Sequence, residues 1–297
     1  MAKRKRGVVG KMKHLVKAAI AQEVSFFLSV PALVWQVLFF YIPLTIIVVL
    51  SFMQGSSACS GLCFTLDNYR AILAPEYFYI IGRSLGLALL VACSCLFAAY
   101  PLAYYLARKV RHGKNILLFL FMLPFWTNFL IQLYAWFFLL ERHGLVNTFF
   151  LRLGLISTPL QLTNNFFAIF LVMFYCYLPF MIMPLYTALE KLDNALFESA
   201  ADLGSSPWQT FFRITLPLSR SGILTGFFLV FVPAFSEFVI PALLGGARYM
   251  FAGSLISHYF LVARNIFVGA AFTCVVGLVL AIIAIAVSLL FSKKGTR

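Results

Sequence analysis

Acidic residues and histidines are scarce in this chain. Of its 297 residues, nine are Asp or Glu and four are His. No set of Cys and His residues has the spacing of a zinc site, and His258 has no neighbours that would form a catalytic cluster with it. No stretch fits the G-x4-G-K-[ST] pattern of a phosphate-binding loop. We therefore expect no metal, no cofactor, no catalytic residue and no enzyme activity in this chain.

Hydrophobic residues are abundant, at 63% of the chain against 11% that are charged. This balance is typical of an integral membrane protein. A helix needs about 20 apolar residues to cross the hydrocarbon core, and six segments are long enough. They lie near residues 28–53, 80–107, 116–140, 165–189, 219–243 and 268–291. The predicted fold is all-α: a polytopic membrane bundle of six transmembrane helices in contact with the lipid bilayer.

The six segments define one transmembrane domain with short ends. A basic tail of residues 1–27 precedes the helical domain of residues 28–291, and residues 292–297 form a second tail. The first apolar segment is not expected to be a cleavable signal peptide, because it is too long and contains Pro31 and Pro43.

The distribution of basic residues predicts the orientation of the bundle. Of 23 Lys and Arg residues, 17 lie on the side of the N-terminal tail, when Arg220 is counted with the loop 190–218; six lie on the other side. Cytoplasmic loops carry an excess of Lys and Arg, so both termini and the loop 190–218 are predicted to be cytoplasmic. Anionic lipid headgroups explain the basic run at residues 3–6 better than nucleic acid does.

Prolines, glycines and one carboxylate within the spans predict a closely packed bundle with an internal path. Prolines at membrane depth free carbonyl groups that need a neighbouring helix, water or a cavity, and small residues let helices approach closely. The prolines are Pro101, Pro124, Pro179, Pro184, Pro233 and Pro241, and the glycines are Gly82, Gly86, Gly222 and Gly226. A broken helix is predicted near Pro124.

Glu237 lies near the middle of the fifth predicted span. A carboxylate at that depth must face protein or a water-filled cavity. Two interpretations remain open: a cation-attracting group on a translocation path, or a structural group that is protonated or hydrogen-bonded to a neighbouring helix. Trp126 and Tyr177 lie beside prolines expected to open their helices, and their rings could bind an ammonium group on such a path. Packing or an interfacial aromatic belt is the alternative for both rings.

The loop 190–218 is polar and lies between two apolar segments. Leu196, Ala200 and Leu203 recur at helical spacing, which predicts a short amphipathic helix over residues 193–203. Gly204 is suited to end this helix, because glycine adopts positive φ without steric cost.

A second short helix is predicted to follow. Ser206, Pro207 and Gln209 have the order of an N-cap, a first helical residue and the partner of a capping box. Pro217 marks the next break. The alternative for the whole loop is a connector folded onto its own bundle.

The run Glu198-Ser-Ala-Ala-Asp-Leu-Gly204, followed nine residues later by Ile214-Thr-Leu216-Pro217, resembles the EAA loop of ABC-importer permeases. That family has E-A-A-x3-G-x9-I-x-L-P, and Ser199 replaces its first Ala. The resemblance implies that the loop contacts separate ATPase subunits, which bind the ATP. The implied coupling residues are Glu198, Ala200, Asp202, Gly204, Ile214, Leu216 and Pro217.

Other segments are similar to the spermidine/putrescine permease branch of these proteins. The similar runs begin at Phe64, Leu123, Leu178, Leu189 and Glu237, and together they extend over residues 64–271. The resemblance implies a bacterial inner membrane, a second permease subunit, two ATPase subunits, an extracytoplasmic solute-binding protein and a small cationic solute. Two acidic residues common in that branch are missing, at Ala242 and within residues 264–267.

Alternatives to a polyamine permease remain. Within the same class, the solute could be another organic cation or a phosphonate. A different class is an ion-coupled secondary transporter or channel, which usually has midplane ionisable residues and internal inverted repeats; one midplane carboxylate and no visible repeat argue against it. A disulfide between Cys59 and Cys63 of an outer loop is sterically demanding and stays open.

Overall fold

The computed structural model describes residues 30–56, 61–110, 112–246 and 248–292. Helices dominate this part of the chain, which confirms the predicted all-α class. In chain order they are α1 (Val30–Ser51), α2 (Asp67–Ile72), α3 (Pro75–Arg108), α4 (Lys114–Trp126), α5 (Phe129–Leu140), α6 (Leu145–Arg152), α7 (Phe166–Glu190), α8 (Asn194–Asp202), α9 (Pro207–Leu218), α10 (Arg220–Ser236), α11 (Val239–Leu244), α12 (Ala252–Val262) and α13 (Ile266–Ser292). The predicted tail 1–27 lies outside the described residues, as does nearly all of 292–297.

A small hairpin follows α1. Strand β1 (Met53–Ser56) pairs antiparallel with β2 (Gly61–Phe64). The buried side chain of Asn68 holds the hairpin to the helix end, since its Nδ2 donates to the carbonyl groups of Ser51 at 3.1 Å and Met53 at 2.8 Å. Cys63 is disulfide-bonded, whereas Cys59, the other cysteine of this loop, lies outside the described residues.

The core forms where α3, α7 and α10 pack against one another, while α13 packs against α1. Gly222 permits the close approach of α10 to α7, because an added Cβ there would lie 2.5 Å from the Cβ of Ala188. Gly226 likewise has no room for a side chain, because an added Cβ would lie 2.7 Å from the sulfur of Met181. The expectation of close helix packing is wrong for Gly82 and Gly86 within this chain, because a Cβ added at either position would have no neighbouring atom within 4 Å.

Four described helices are each long and apolar enough to cross a membrane, namely α1, α3, α7 and α13. The count rises to six if each of two bent pairs is one span. The first pair is α4 with the helical stretch Phe129–Arg152, bent by 89°, and the second is α9 with α10, bent by 63°. The number agrees with the six predicted spans only when both bent pairs are counted. Of the second pair, only α10 overlaps the predicted span 219–243.

The third predicted span breaks after Trp126. Thr127 and Asn128 are extended, and Asn128 Oδ1 then accepts hydrogen bonds from the amides of Leu130 at 3.0 Å and Ile131 at 3.3 Å. The predicted broken helix near Pro124 is confirmed, because the N-cap Asn128, four residues beyond the proline, supports a new helix in another direction.

One expectation about helix continuity is wrong, and one further break lies outside the predictions. The predicted fifth span, 219–243, is interrupted at Glu237 and Phe238, between α10 and α11. In contrast, α7 runs unbroken through Pro179 and Pro184, so the proline near Tyr177 does not open its helix. Sequence indicates which carbonyl groups a proline frees, but neighbouring helices decide whether the chain bends there.

Candidate functional site

Helix α8, the turn after it and helix α9 form most of the 190–218 segment. Asp193 caps α8, because its Oδ1 accepts a hydrogen bond from the amide of Ala195 at 3.0 Å. Gly204 then ends the helix with φ of 75°. The amide of Ser205 donates to the carbonyl of Ala200, and that of Gly204 donates to Ala201, both at 2.9 Å. This is the paired hydrogen-bond pattern of a Schellman C-cap.

Helix α9 starts with the predicted capping box. The amide of Gln209 donates to Ser206 Oγ at 3.3 Å, and the amide of Ser206 donates to Gln209 Oε1 at 3.0 Å. Pro207 is the first helical residue, where its missing N–H costs nothing. The turn between α8 and α9 is therefore specified on both sides by local hydrogen bonds.

The break after α9 lies further along the chain than predicted. Residues Phe211–Thr215 form a π-helical turn, and Leu216–Leu218 are again α-helical. Pro217 is inside this last turn, and the chain bends at Ser219 instead. Ser219 is fully buried and its hydroxyl lies 2.9 Å from that of Tyr100 on α3, so the end of the segment is anchored to the core.

The segment exposes much of its apolar surface. Leu203 is 88% exposed and Trp208 is 73% exposed, and Leu196 and Phe212 are also exposed. The short helix predicted over residues 193–203 is present as α8, and of the three apolar residues at helical spacing only Ala200 is buried. An exposed apolar patch rimmed by charge is typical of a protein contact site.

The remaining predicted coupling residues are distributed around this surface. Glu198 and Asp202 are exposed on α8, and Pro217 is exposed on α9, while Ile214 and Leu216 are half-buried. The charged and apolar groups that a partner could contact therefore come from both helices, and the Gly204 turn sets their relative position.

Two basic residues that sequence reasoning did not single out connect this segment to the bundle. Arg108, at the end of α3, donates to the carbonyl of Leu192 and to Asn194 Oδ1, each at 2.8 Å. Lys114, at the start of α4, pairs with Glu190 Oε1 at 2.5 Å. In the sequence both residues contribute only to the charge excess from which the orientation is predicted, since their partners are 76 or more positions away.

The predicted path residues are only partly brought together. Tyr177 is buried on α7, and its hydroxyl donates to Glu237 Oε2 at 2.6 Å. Glu237 Oε1 accepts from the amides of Val239 at 2.8 Å and Ile240 at 3.3 Å. The carboxylate thus bridges α7 and the helix break before α11, as the structural interpretation requires.

Trp126 lies apart from this pair. Its side chain is 73% exposed, and its ring is 5.4 Å from that of Phe119. The neighbouring Phe125 contacts Phe180 at 5.1 Å, and Phe180 lies 6.3 Å from Tyr177. A row of aromatic rings therefore leads from the α4 break towards Glu237.

Comparison with known protein families identifies the family of this chain. Residues 99–294 match the family described as binding-protein-dependent transport system inner membrane component. The chain belongs to this family. Members of this kind are transport components, and the EAA-type run of this inner-membrane component lies inside the matched range.

Close relatives of this inner-membrane component span most of its length. The spermidine/putrescine transport system permease protein PotB of Salmonella typhimurium (strain SL1344) is 42% identical over 253 residues, which cover 84% of this chain and 88% of that protein. PotB of Escherichia coli (strain K12) is also 42% identical, covering 83% of this chain and 91% of that protein. The inner membrane ABC transporter permease protein YdcU of Escherichia coli (strain K12) is 35% identical, and the match covers 77% of this chain and 75% of that protein.

The fold is shared with a solved transporter. A bacterial ABC transporter involved in the import of the acidic polysaccharide alginate contains a chain that superposes with a TM-score of 0.73. The match covers 96% of this chain and 100% of that one at 18% identity. The chain therefore shares the fold of that transporter chain.

Proposed function

We propose that this inner-membrane component is the permease subunit of an ATP-driven importer of polyamines, and that separate ATPase subunits dock on its 190–218 segment. The observation that carries the proposal is the exposed surface of that segment. Leu203 and Trp208 project from two helices whose junction is fixed by the Gly204 C-cap and the Ser206 cap. A polar segment with uncovered apolar side chains suits a protein contact.

The proposed orientation places this contact in the cytoplasm. It is supported by the excess of Lys and Arg on the side of the termini and the 190–218 segment, because cytoplasmic loops of membrane proteins carry such an excess. ATP is bound by the ATPase subunits in this proposal. A second permease subunit completes the path, and a solute-binding protein delivers the solute from outside, in keeping with the family description.

The proposed solute is spermidine or putrescine. Relatives with 42% identity are named as spermidine/putrescine permeases. A polyamine is strongly hydrated, so the path must replace its water with carboxylates, carbonyl groups or aromatic faces. Glu237 and Tyr177, with Trp126 at the α4 break, are the groups this chain offers, and the partner permease supplies the other carboxylates.

Affinity purification of the membrane complex tests the docking proposal. We expect a tagged permease to retain the ATPase subunits, and we expect Leu203→Asp with Trp208→Asp to release them while the permease still inserts. Leu145→Asp is the matched control, because Leu145 is 71% exposed on α6, which lies on the opposite side of the membrane in the proposed orientation. Retention of the ATPase by the double variant would place the contact elsewhere.

A further inference from the structure

Helix α8 is loosely packed on the rest of the described chain. Ala200 is its one buried residue, and no other described helix packs extensively against it. Burial therefore does little to fix its position. A partner that docks on a loosely held helix must pay the entropy of ordering it, so another contact is needed to hold α8 in place.

Arg108 supplies such a contact. It is the last residue of α3, and its guanidinium reaches three points around the start of α8. Nη2 donates to the carbonyl of Leu192 and Nη1 donates to Asn194 Oδ1, each at 2.8 Å. The guanidinium carbon also lies 4.2 Å from the centroid of the Phe197 ring. One side chain thus contacts the connection before α8, its first residue and its fourth residue.

The geometry of these contacts requires arginine. The planar guanidinium directs two N–H groups to two acceptors and stacks on a ring at the same time, whereas the ammonium of lysine is a single point charge. The Nε atom of Arg108 is buried and has no hydrogen-bond partner among the described residues. This part of the side chain is therefore shielded from solvent where the end of α3 meets the start of α8.

The helix that carries Arg108 belongs to the core. Helix α3 packs on both α7 and α10, and α10 follows directly after the 190–218 segment. We propose that Arg108 is the positioning residue that fixes α8 to α3 and transmits movement between the transmembrane core and the docked ATPase. This inference rests on the proposed function, because it takes α8 to be part of the ATPase contact.

The neighbouring ion pair of Lys114 and Glu190 does not hold α8 as Arg108 does. Its side chains are 39% and 41% exposed, and exposed ion pairs contribute little to stability. The pair joins the start of α4 to the end of α7, and does not reach α8 itself. Arg108 is therefore the contact on which the position of α8 depends.

Substituting Arg108 in the complete complex tests the inference. We compare Arg108→Lys, which keeps the charge, with Lys109→Gln, which removes the charge of an exposed neighbour. In proteoliposomes with all subunits, ATP hydrolysis is measured with and without spermidine-loaded binding protein. We expect Arg108→Lys to lower the stimulation about threefold or more, in the range by which residues between coupled sites alter coupling. Lys109→Gln is expected to match the wild type.

A spin label at Leu203 gives a second measurement that does not depend on the solute. Leu203 is exposed at the end of α8, so its label reports the position of that helix relative to a label on α3. We expect a broader distance distribution in Arg108→Lys and an unchanged one in Lys109→Gln, at equal melting temperatures. A change confined to thermal stability would assign Arg108 a purely structural role and overturn the inference.

Phe197→Leu and Asn194→Ala keep Arg108 and remove one of its contacts each. They therefore test the same contacts if Arg108→Lys assembles poorly, and each is expected to show part of the loss. Wild-type stimulation and an unchanged distance distribution in all three variants would reject the role of Arg108. If Glu198→Ala and Gly204→Val also leave stimulation unchanged, the proposed ATPase contact fails as well; if they abolish it, only the role of Arg108 fails.

Discussion

At the scale of single residues, hydrogen bonds with near and distant partners define what each site residue can do. Gly204 satisfies only local requirements, since nothing lies within 4 Å of an added Cβ and its φ is 75°. Glu237 is held by a distant helix as well as by its own chain, through Tyr177 and the amides at the start of α11. A substitution at Gly204 is therefore expected to act through the local backbone, and one at Glu237 through contacts between helices.

We expect Gly204→Val to weaken the ATPase contact through backbone strain. A left-handed conformation costs an L-residue with a Cβ roughly 1–2 kcal/mol, and the strained turn would separate α8 from α9. Gly204→Asn is the matched control, because asparagine tolerates this conformation. ATPase retained by the purified complex is the measurement. Equal retention in both variants would mean that the turn does not set the docking surface.

We expect Glu237→Gln to impair spermidine uptake while assembly stays intact. An amide oxygen can still accept from the amides of Val239 and Ile240, but the amide nitrogen cannot accept from the Tyr177 hydroxyl, so the charge and this one hydrogen bond are lost. A tenfold fall in uptake would correspond to about 1.4 kcal/mol in the transport barrier. Tyr177→Phe, which keeps the charge and removes one hydrogen bond, is expected to have a smaller effect. Wild-type uptake by Glu237→Gln would make the carboxylate purely structural.

At the scale of helices, close approach between α7 and α10 organises the core. Gly222→Ala places a Cβ against Ala188, and overpacking of this kind typically costs about 1–3 kcal/mol. Gly82→Ala, on the open side of α3, is expected to stabilise the helix by roughly 0.5–1 kcal/mol, because alanine loses less backbone entropy there than glycine. Thermal unfolding of the purified complex measures both. Equal melting temperatures for the two variants would contradict the packing assigned to Gly222.

Local chemistry made the ends of α8 and α9 predictable from the sequence. The Gly204 C-cap and the capping box of Ser206 and Gln209 depend on residues within a few positions of each other, and both are present. Burial was not predictable in the same way. Leu196 and Leu203 have the spacing of a buried face, but no described helix packs extensively on α8, so they remain exposed.

Tertiary packing also explains why the breaks were only partly predicted. Asn128 can cap α5 directly after the Pro124 turn, so that break follows from nearby residues. The interruption at Glu237 instead involves Tyr177, 60 positions earlier, and Arg108 contacts residues 84 and 86 positions later. Pairings at such separations leave no periodic signal in a single sequence.

At the scale of the whole molecule, charge distribution and exposed surface make a prediction about sidedness. In a background without native cysteines, Leu203→Cys is expected to be protected from an impermeant thiol reagent in intact cells, and Leu145→Cys is expected to react. Both positions are exposed, at 88% and 71%, whereas Asn147, another residue of the proposed outer side, is fully buried. Labelling of position 203 in intact cells would reverse the proposed orientation.

Stimulated ATP hydrolysis by the reconstituted complex tests the central claim most directly, because it requires both the docking of the ATPase on the 190–218 segment and the polyamine as solute. We predict that spermidine-loaded binding protein stimulates hydrolysis by the wild-type complex, and that Glu198→Ala and Gly204→Val each lose this stimulation while remaining inserted. Wild-type stimulation in both variants would contradict the coupling role of the segment. Absence of stimulation by spermidine and putrescine in the wild-type complex would contradict the proposed solute.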